Sequence, residues 1–136
     1  MSHQSQRPLP EPSARMAPFW AAAKHGVLMI QRCARCGLHR FPAAEFCSGC
    51  LSSELVWVEA SGNAELFSFV VVHHALDPYF VARAPYLVAD VKLAEGPHMI
   101  SQLVDCAPHE ARIGDSLRVR FEEANELVFL PVFRRG

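Results

Sequence analysis

The chain has 136 residues, of which 51% are hydrophobic and 20% charged, a composition typical of a folded protein and not of a disordered one. This length fits one domain or two very small ones. The longest strongly apolar run, residues 66–72, is far shorter than the roughly 18 residues that a membrane span needs. The N-terminal residues lack the basic and apolar regions of a secretory signal. We therefore expect a cytoplasmic protein with no membrane partner.

The charge is unevenly distributed along the chain. The net charge is +2 for residues 1–26, +1 for residues 27–58 and −4 for residues 59–136. Proteins that bind nucleic acid concentrate positive charge on the binding domain, because neutralisation of phosphate supplies much of their affinity. The acidic C-terminal part therefore argues against a general nucleic-acid binder.

The first predicted element is a short helix over residues 18–26, preceded by a proline-rich tail over residues 1–17 that we expect to be flexible. Proline is suited to the first turn of a helix, and Gly26 is suited to its end. Phe19 and Trp20 lie at the start of this helix and must be covered by something. They either pack on the rest of the chain or form an exposed anchor for a partner protein, since large aromatic residues are favoured at interfaces.

The cysteines carry the strongest signal in the sequence. Two Cys-x-x-Cys pairs are separated by ten residues: Cys33 with Cys36, and Cys47 with Cys50. Each pair can direct two thiolates at one ion, and four thiolates complete the tetrahedral coordination of a structural zinc. With short strands predicted on both sides, over residues 27–31 and 55–58, residues 27–58 are predicted to form a rubredoxin-like zinc ribbon. Iron of the rubredoxin type and disulfide bonds are the alternatives, although disulfides suit a secreted chain.

No catalytic set of residues is visible in the sequence. Four cysteine ligands leave the metal no open coordination position, which argues against a catalytic metal. His25 and His39 lie near the cysteine pairs but are surplus to a complete ligand set, and the isolated Cys106 is expected to be a small buried hydrophobic residue. We therefore expect that the chain is not itself an enzyme.

Residues 59–136 are predicted to form a β barrel of the OB type, because they contain five short strands and no long helix. The strands are expected over residues 65–72, 86–93, 99–104, 116–121 and 127–133. The first of them is apolar at almost every position, which predicts burial on both faces for part of its length. The fold class is thus mainly β: a short helix, a zinc ribbon and a five-stranded OB-fold barrel.

The loop over residues 75–85 joins the first two barrel strands and carries Tyr79, Phe80 and Arg83. OB barrels bind ligands on one sheet face and in the surrounding loops. An aromatic pair beside an arginine can stack an adenine and contact a phosphate. The alternative is that this loop folds over the barrel mouth on its own aromatic side chains.

The order of these parts resembles the zinc-ribbon, OB-fold family of acyl-CoA-associated proteins, formerly catalogued as a domain of unknown function. The resemblance rests on five stretches: FWAAAKHGVLMIQRCARCG (19–37), FPAAEFCSGC (41–50), VWVEASGNAELFSFVVVH (56–73), PYLVADVKLAEGP (85–97) and IGDSLRVRFEE (113–123). It implies an accessory subunit that stabilises a thiolase-like enzyme, a hydratase or an aldolase, or that helps to bind a CoA thioester, while the partner supplies the catalytic residues and sets the oligomeric state. It also assigns the four cysteines of the two pairs as the zinc ligands.

One position departs from the family pattern. A basic residue is expected after Gly96 and Pro97, but His98 stands there, which puts a CoA-phosphate contact at this position in doubt. The competing hypothesis for the whole chain is a single-stranded nucleic-acid binder, because zinc ribbons and OB barrels both serve that function. It requires a basic groove with stacking aromatic residues, and the net charge of −4 over residues 59–136 disfavours it.

Overall fold

A computed structural model of the chain describes residues 7–136. The element order is one short helix, three ribbon strands, and five barrel strands interrupted by a second, very short helix. The elements are α1 (Ala17–Ala23), β1 (Met29–Cys33), β2 (His39–Arg40), β3 (Leu55–Glu59), β4 (Asn63–Val72), α2 (Pro78–Val81), β5 (Tyr86–Leu93), β6 (His98–Leu103), β7 (Ser116–Glu123) and β8 (Phe129–Arg135). The mainly β fold class is confirmed.

Helix α1 begins one residue before the predicted helix and ends three residues earlier. Proline occupies its first turn as expected, and its buried face consists of Phe19 and Ala23, which are one helical turn apart. Of the predicted N-terminal tail, residues 1–6 lie outside the described residues. Residues 7–16 contain no helix or strand, yet Arg7 forms an ion pair with Glu122, 3.1 Å from Nη1 to Oε2.

The ribbon is a three-stranded antiparallel sheet in the order β2-β1-β3. Strand β1 pairs along its whole length with β3, and β2 is a two-residue strand that the sequence pattern did not predict. The buried side chain of Gln31 stabilises the loop between the cysteine pairs, since its Oε1 accepts a hydrogen bond from the Ala44 N–H at 2.8 Å.

The barrel strands close in the order β4-β5-β6-β8-β7, which is the predicted five-stranded OB arrangement. All five predicted strands are present, with bounds shifted by a few residues at most. Ladders β4–β5, β5–β6 and β7–β8 are long and antiparallel. By contrast, β6 and β8 are parallel and share a single paired position, Leu103 with Phe133. The barrel is therefore only narrowly closed between β6 and β8.

One continuous hydrophobic core joins the helix, the ribbon and the barrel. It contains residues from α1 and β1 as well as inward-facing residues of the barrel: Phe19, Leu28, Ile30, Ala60, Leu66, Leu87, Ala89, Val91, Leu93, Met99, Leu103, Ala111, Leu117 and Phe133. The shared core fixes the ribbon and α1 against the barrel, because packed side chains from all three parts would have to separate for them to move.

The expected burial of the first barrel strand on both faces is wrong for this chain alone. Phe67 and Val70 of β4 are 54% and 59% exposed, and Ile100 of β6 is 70% exposed. They lie on a sheet whose inner face fills the core and whose outer face is open, so a continuous apolar sequence here marks an uncovered surface. Within residues 7–136, no helix is long and apolar enough to cross a membrane.

Candidate metal centre and neighbouring surfaces

The four predicted ligand cysteines meet at one point of the ribbon. Their Sγ atoms all lie within 4.8 Å of one another. Two of the distances cross between the pairs: Cys33 to Cys50 is 3.6 Å and Cys36 to Cys47 is 3.5 Å. A tetrahedral zinc with bonds of about 2.3 Å separates its sulfur ligands by about 3.8 Å. The sulfur positions therefore fit a tetrahedral ion without rearrangement of the chain.

Backbone N–H groups point at the sulfurs in both Cys-x-x-Cys turns. The Cys36 N–H donates to Cys33 Sγ at 3.4 Å, and the Gly49 N–H donates to Cys47 Sγ at 3.3 Å. The Cys36 N–H is the main reason why the pKa of Cys33 is lowered to about 6. Hydrogen bonds from the backbone N–H groups of Cys50 and Gly49 likewise lower the pKa of Cys47. These turns are built to hold thiolates, which is the form that binds a metal.

Cys36 shows the opposite shift because four sulfurs at this spacing cannot all ionise without a cation. The Leu38 N–H lowers its pKa, but hydrogen bonds to the neighbouring sulfurs, chiefly Cys47, and burial outweigh that effect and raise it to about 12. A divalent ion would relieve the repulsion and replace the retained protons. The donor set thus fits the structural Zn²⁺ that the spacing of the cysteines predicted.

Phe19 and Trp20 adopt different environments, although they are neighbours in α1. Phe19 is only 3% exposed and contacts Trp20 and Phe41, with ring centroids 4.9 Å and 5.5 Å away. Packing on the rest of the chain therefore accounts for Phe19. Trp20 is half-buried and lies on the outside of the core. A role of this pair in binding a partner stays a prediction. Trp20 is the member of the pair whose side chain is accessible to a partner.

Tyr79, Phe80 and Arg83 lie close together in and just after α2, a short helix within the segment that was predicted to be a loop. The Asp77 side chain caps α2 by accepting from the Tyr79 N–H at 2.8 Å. The Arg83 guanidinium lies over the Tyr79 ring, 3.4 Å from its centroid, and Nη1 of Arg83 donates to the Tyr79 carbonyl at 2.9 Å. Phe80 packs edge-on against Tyr79 and also contacts Tyr86. The segment is thus folded on its own aromatic side chains, and a face of Tyr79 is covered by Arg83.

His98 belongs to a different cluster on the open face of the barrel. Its Nδ1 lies 2.8 Å from Asp90 Oδ1, and its ring packs edge-on against Phe67 with centroids 4.7 Å apart. Because Asp90 engages this side chain, the position differs from a free basic residue aimed at a phosphate. The doubt raised by the sequence about a CoA-phosphate contact at residue 98 therefore stands.

His25, His39 and Cys106 lie outside the set of four ligand cysteines. His25 is exposed and His39 is half-buried. Cys106 is half-buried, and its pKa is raised by burial, so its thiol is not activated as a nucleophile.

The structure also forms an apolar groove that the sequence did not predict. It has a volume of about 330 Å³ and lies where β6 and β8 separate. Trp20 and Phe41 come to it from α1 and the ribbon, Ile100 and Pro131 from the barrel, and Arg7 from the N-terminal segment. No local pattern could have revealed this groove, because its walls come from six separate segments of the chain.

The fold and the cysteine site together define the class of the protein: a rubredoxin-like zinc ribbon followed by an OB-fold barrel. Two family descriptions match these parts separately. Residues 20–56 match "ChsH2, rubredoxin-like zinc ribbon domain", and residues 57–122 match "ChsH2, C-terminal OB-fold domain". The chain therefore belongs to the family of ChsH2-type zinc-ribbon and OB-fold proteins, the family also designated DUF35.

Two named relatives, a hydratase subunit and a scaffold protein, are similar to this chain in sequence. A probable enoyl-CoA hydratase alpha subunit of Thermomonospora curvata is 39% identical over 94% of this chain. The chain spans only 40% of the length of that relative. A DUF35 domain-containing scaffold protein of Methanocaldococcus jannaschii is 34% identical, and the alignment covers 79% of this chain and 77% of the relative.

A solved structure agrees with these relatives in both sequence and fold. A chain of the Ltp2-ChsH2(DUF35) aldolase is 38% identical and superimposes with a TM-score of 0.83. The match covers 93% of this chain and 98% of the other.

Proposed function

We propose that the chain is a non-catalytic accessory subunit of an enzyme complex that acts on acyl-CoA thioesters. The partner is a thiolase-, hydratase- or aldolase-type enzyme and supplies the catalytic residues. The observation that carries this proposal is the likeness to almost the whole of one chain from the Ltp2-ChsH2(DUF35) aldolase. The scaffold name of one relative and the hydratase-subunit name of another support the same role.

The metal site supports a structural role for the ribbon. Four cysteines fill the tetrahedral positions of zinc, so no position is left for water or a substrate. Zinc at such a site stabilises the fold and does not activate a reactant. Because α1 and the barrel share one hydrophobic core with the ribbon, a ribbon stabilised by zinc also holds α1 and the barrel in place. The chain then offers a partner a preorganised surface, which reduces the entropy lost on association.

Arg83 and Tyr79 are the residues that we propose for contact with the CoA thioester. The Arg83 side chain has no carboxylate within ion-pair distance among residues 7–136. Its Nη1 is committed to a backbone carbonyl, while the remaining guanidinium donors are available to a phosphate. The Phe80 ring packs edge-on against the Tyr79 ring. Because a face of Tyr79 is covered by Arg83, we expect a phosphate contact and no stacking of adenine on that face.

The first experiment identifies the partner. The tagged full-length chain is purified from the lysate of its own organism, and the bound proteins are identified by mass spectrometry. Stoichiometric recovery of a thiolase, hydratase or aldolase is the expected result. Recovery of nucleic acid alone, or turnover of an acyl-CoA by the isolated chain, would overturn the proposal.

The contact with CoA is tested separately on the purified complex. Binding of CoA is measured by calorimetry for the wild type, for Arg83→Gln and for the control Lys24→Gln, whose side chain is exposed just after α1. We expect weaker CoA binding for Arg83→Gln only, with assembly of the complex unchanged. Equal affinity for all three proteins would remove Arg83 from the CoA site and leave the accessory role intact.

A further inference from the structure

The cations of the barrel are concentrated on two neighbouring strands. The sequence from residue 59 onward contains seven lysines and arginines, and four of these lie on β7 and β8. Two of the four, Arg120 and Arg135, form ion pairs with carboxylates of the barrel. The other two, Arg118 and Arg134, form no ion pair within the described part of the chain.

These two arginines are direct neighbours across the sheet. Arg118 of β7 is the register partner of Arg134 of β8 in an antiparallel ladder, and both residues are exposed. Residues directly opposite each other have their Cβ atoms about 4.5–5.5 Å apart, and like charges at such positions destabilise a sheet. The isolated chain therefore carries an electrostatic repulsion here that no carboxylate of residues 7–136 relieves by pairing with either arginine.

The carboxylate on the adjoining strand faces a different cation. Asn63 of β4 is the register partner of Arg118, and Glu65 lies two residues further along the same strand. Glu65 is directly opposite Lys92 of β5, which makes a cross-strand pair of opposite charge. Arg118 is instead held by a neutral side chain, since its Nη1 donates to Asn63 Oδ1 at 2.8 Å. That contact orients the guanidinium and leaves its charge uncompensated.

Both guanidinium groups keep donors for an external acceptor. Of the two, only Nη1 of Arg118 donates a hydrogen bond within residues 7–136. Guanidinium groups form short, charge-assisted hydrogen bonds with carboxylates, often two at a time. Because Arg118 and Arg134 lie on one long ladder, the spacing of their Cα atoms is fixed before any ligand arrives. A ligand that carries carboxylates would replace the repulsion between the arginines with attraction to both.

We propose that Arg118 and Arg134 form a docking point for an acidic segment of the partner enzyme, on the outer face of β7 and β8. The inference rests on the proposed function, because it identifies a surface through which the accessory subunit binds its partner. The arginines are exposed on an open sheet face, where a protein segment would also exclude water from the contact. The net charge of −4 over residues 59–136 opposes a nucleic-acid backbone, whereas a short acidic segment contacts only the two arginines.

The test uses opposite expected effects on stability and on binding. Arg134→Glu replaces the like-charge pair with a pair of opposite charge, so it should raise the thermal midpoint of the isolated chain by about 1–4 °C. The same substitution should weaken binding of the partner enzyme, purified with the tagged chain, roughly tenfold at low salt and less at high salt. A variant that is more stable yet binds more weakly cannot owe its defect to misfolding.

Arg120→Gln is the matched control on the same strand. Arg120 is the next outward residue of β7, but it already forms ion pairs with Asp105 and Glu122. Its replacement should not raise the thermal midpoint and should leave the affinity for the partner within about twofold of the wild type. A labelled hexaglutamate peptide serves as a probe that does not require the partner. We expect Arg134→Gln to bind this peptide more weakly than either the wild type or Arg120→Gln.

Four results would overturn the inference. They are wild-type affinity of Arg134→Glu for the partner, a lowered thermal midpoint of Arg134→Glu, equal hexaglutamate binding by Arg134→Gln and the wild type, and tighter binding of oligothymidylate than of hexaglutamate by the same two arginines. The last result would assign the surface to nucleic acid. If Arg134→Glu recovers the partner enzyme in full amount, the accessory role survives and this surface is excluded. If the wild type recovers no enzyme, the proposed function fails, and the inference that rests on it fails with it.

Discussion

The junction between ribbon and barrel depends on one glycine whose replacement has two separable costs. Gly62 precedes β4, has a positive φ of +86° and is buried. A Cβ added there would lie 2.8 Å from Cγ1 of Val119. The Gly62 carbonyl also accepts a hydrogen bond from the Val119 N–H at 2.8 Å, so the two backbones cannot easily move apart. Gly62→Ala is therefore expected to strain both the backbone and the packing.

The magnitude follows from these two contributions. A left-handed conformation costs an alanine about 1–2 kcal/mol, and overpacking in a closed site costs about 1–3 kcal/mol. We expect Gly62→Ala to lower the free energy of unfolding by about 2–5 kcal/mol. Gly26→Ala is the control for the backbone contribution alone, because Gly26 has a φ of +75° and no atom within 4 Å of the added Cβ.

The two contributions are separated by a double-mutant cycle with Val119→Ala. Removing Cγ1 relieves the clash but leaves the backbone strain, so in that background Gly62→Ala should cost no more than Gly26→Ala does in the wild type. Urea unfolding of the four proteins of the cycle and of Gly26→Ala, with zinc held constant, gives the free energies. An unchanged cost of Gly62→Ala in the Val119→Ala background would refute the steric argument. A wild-type cost equal to that of Gly26→Ala would refute it as well.

Three further predictions concern the helix, the metal and one carboxylate. Phe19→Ala should lower the free energy of unfolding by about 3–5 kcal/mol because Phe19 is buried, whereas Trp20→Ala should cost clearly less; equal costs in urea unfolding would contradict the assigned environments. Elemental analysis should find one zinc per chain, and a chelator should lower the thermal midpoint, since zinc binding contributes about 10–16 kcal/mol in zinc-finger peptides; an unchanged midpoint or bound iron would contradict this. The Ala107 N–H and then Arg135 hold the pKa of Glu110 below its ordinary value of 4.5, so Glu110 stabilises the fold above pH 4.5 and loses this effect as the pH falls below it. The difference in thermal midpoint between wild type and Glu110→Gln should therefore shrink on acidification, and a constant difference would disprove the linkage.

Much of the fold could be predicted because its signals are local. Alternation of apolar and polar residues gave the barrel strands, for example in β5, where Leu87, Ala89, Val91 and Leu93 are all buried. The cysteine spacing gave the ligand set because a Cys-x-x-Cys turn places two sulfurs together whatever surrounds it. The same local signals place Tyr79, Phe80 and Arg83 on one segment.

The rest depended on contacts between distant segments. Whether β4 is covered on its outer face cannot be read from its apolar sequence, since Val70 would look the same under a partner or in solvent. The different burial of Phe19 and Trp20 follows from the direction in which α1 meets the barrel. The ion pair between Arg7 and Glu122 spans 115 positions of the chain. No periodicity in the sequence carries that information.

The arrangement of the groove links the position of one of its walls to the metal. Phe41 is in the loop between the two cysteine pairs, so its position depends on the order that zinc imposes on that loop. Phe41 packs on Phe19, and Phe19 in turn packs against Trp20. Phe41 and Trp20 form one wall of the groove, and the barrel forms the other. Loss of zinc should therefore displace one wall of the groove and leave the barrel wall in place, so that Trp20 becomes more exposed in the zinc-free chain even where the barrel remains folded.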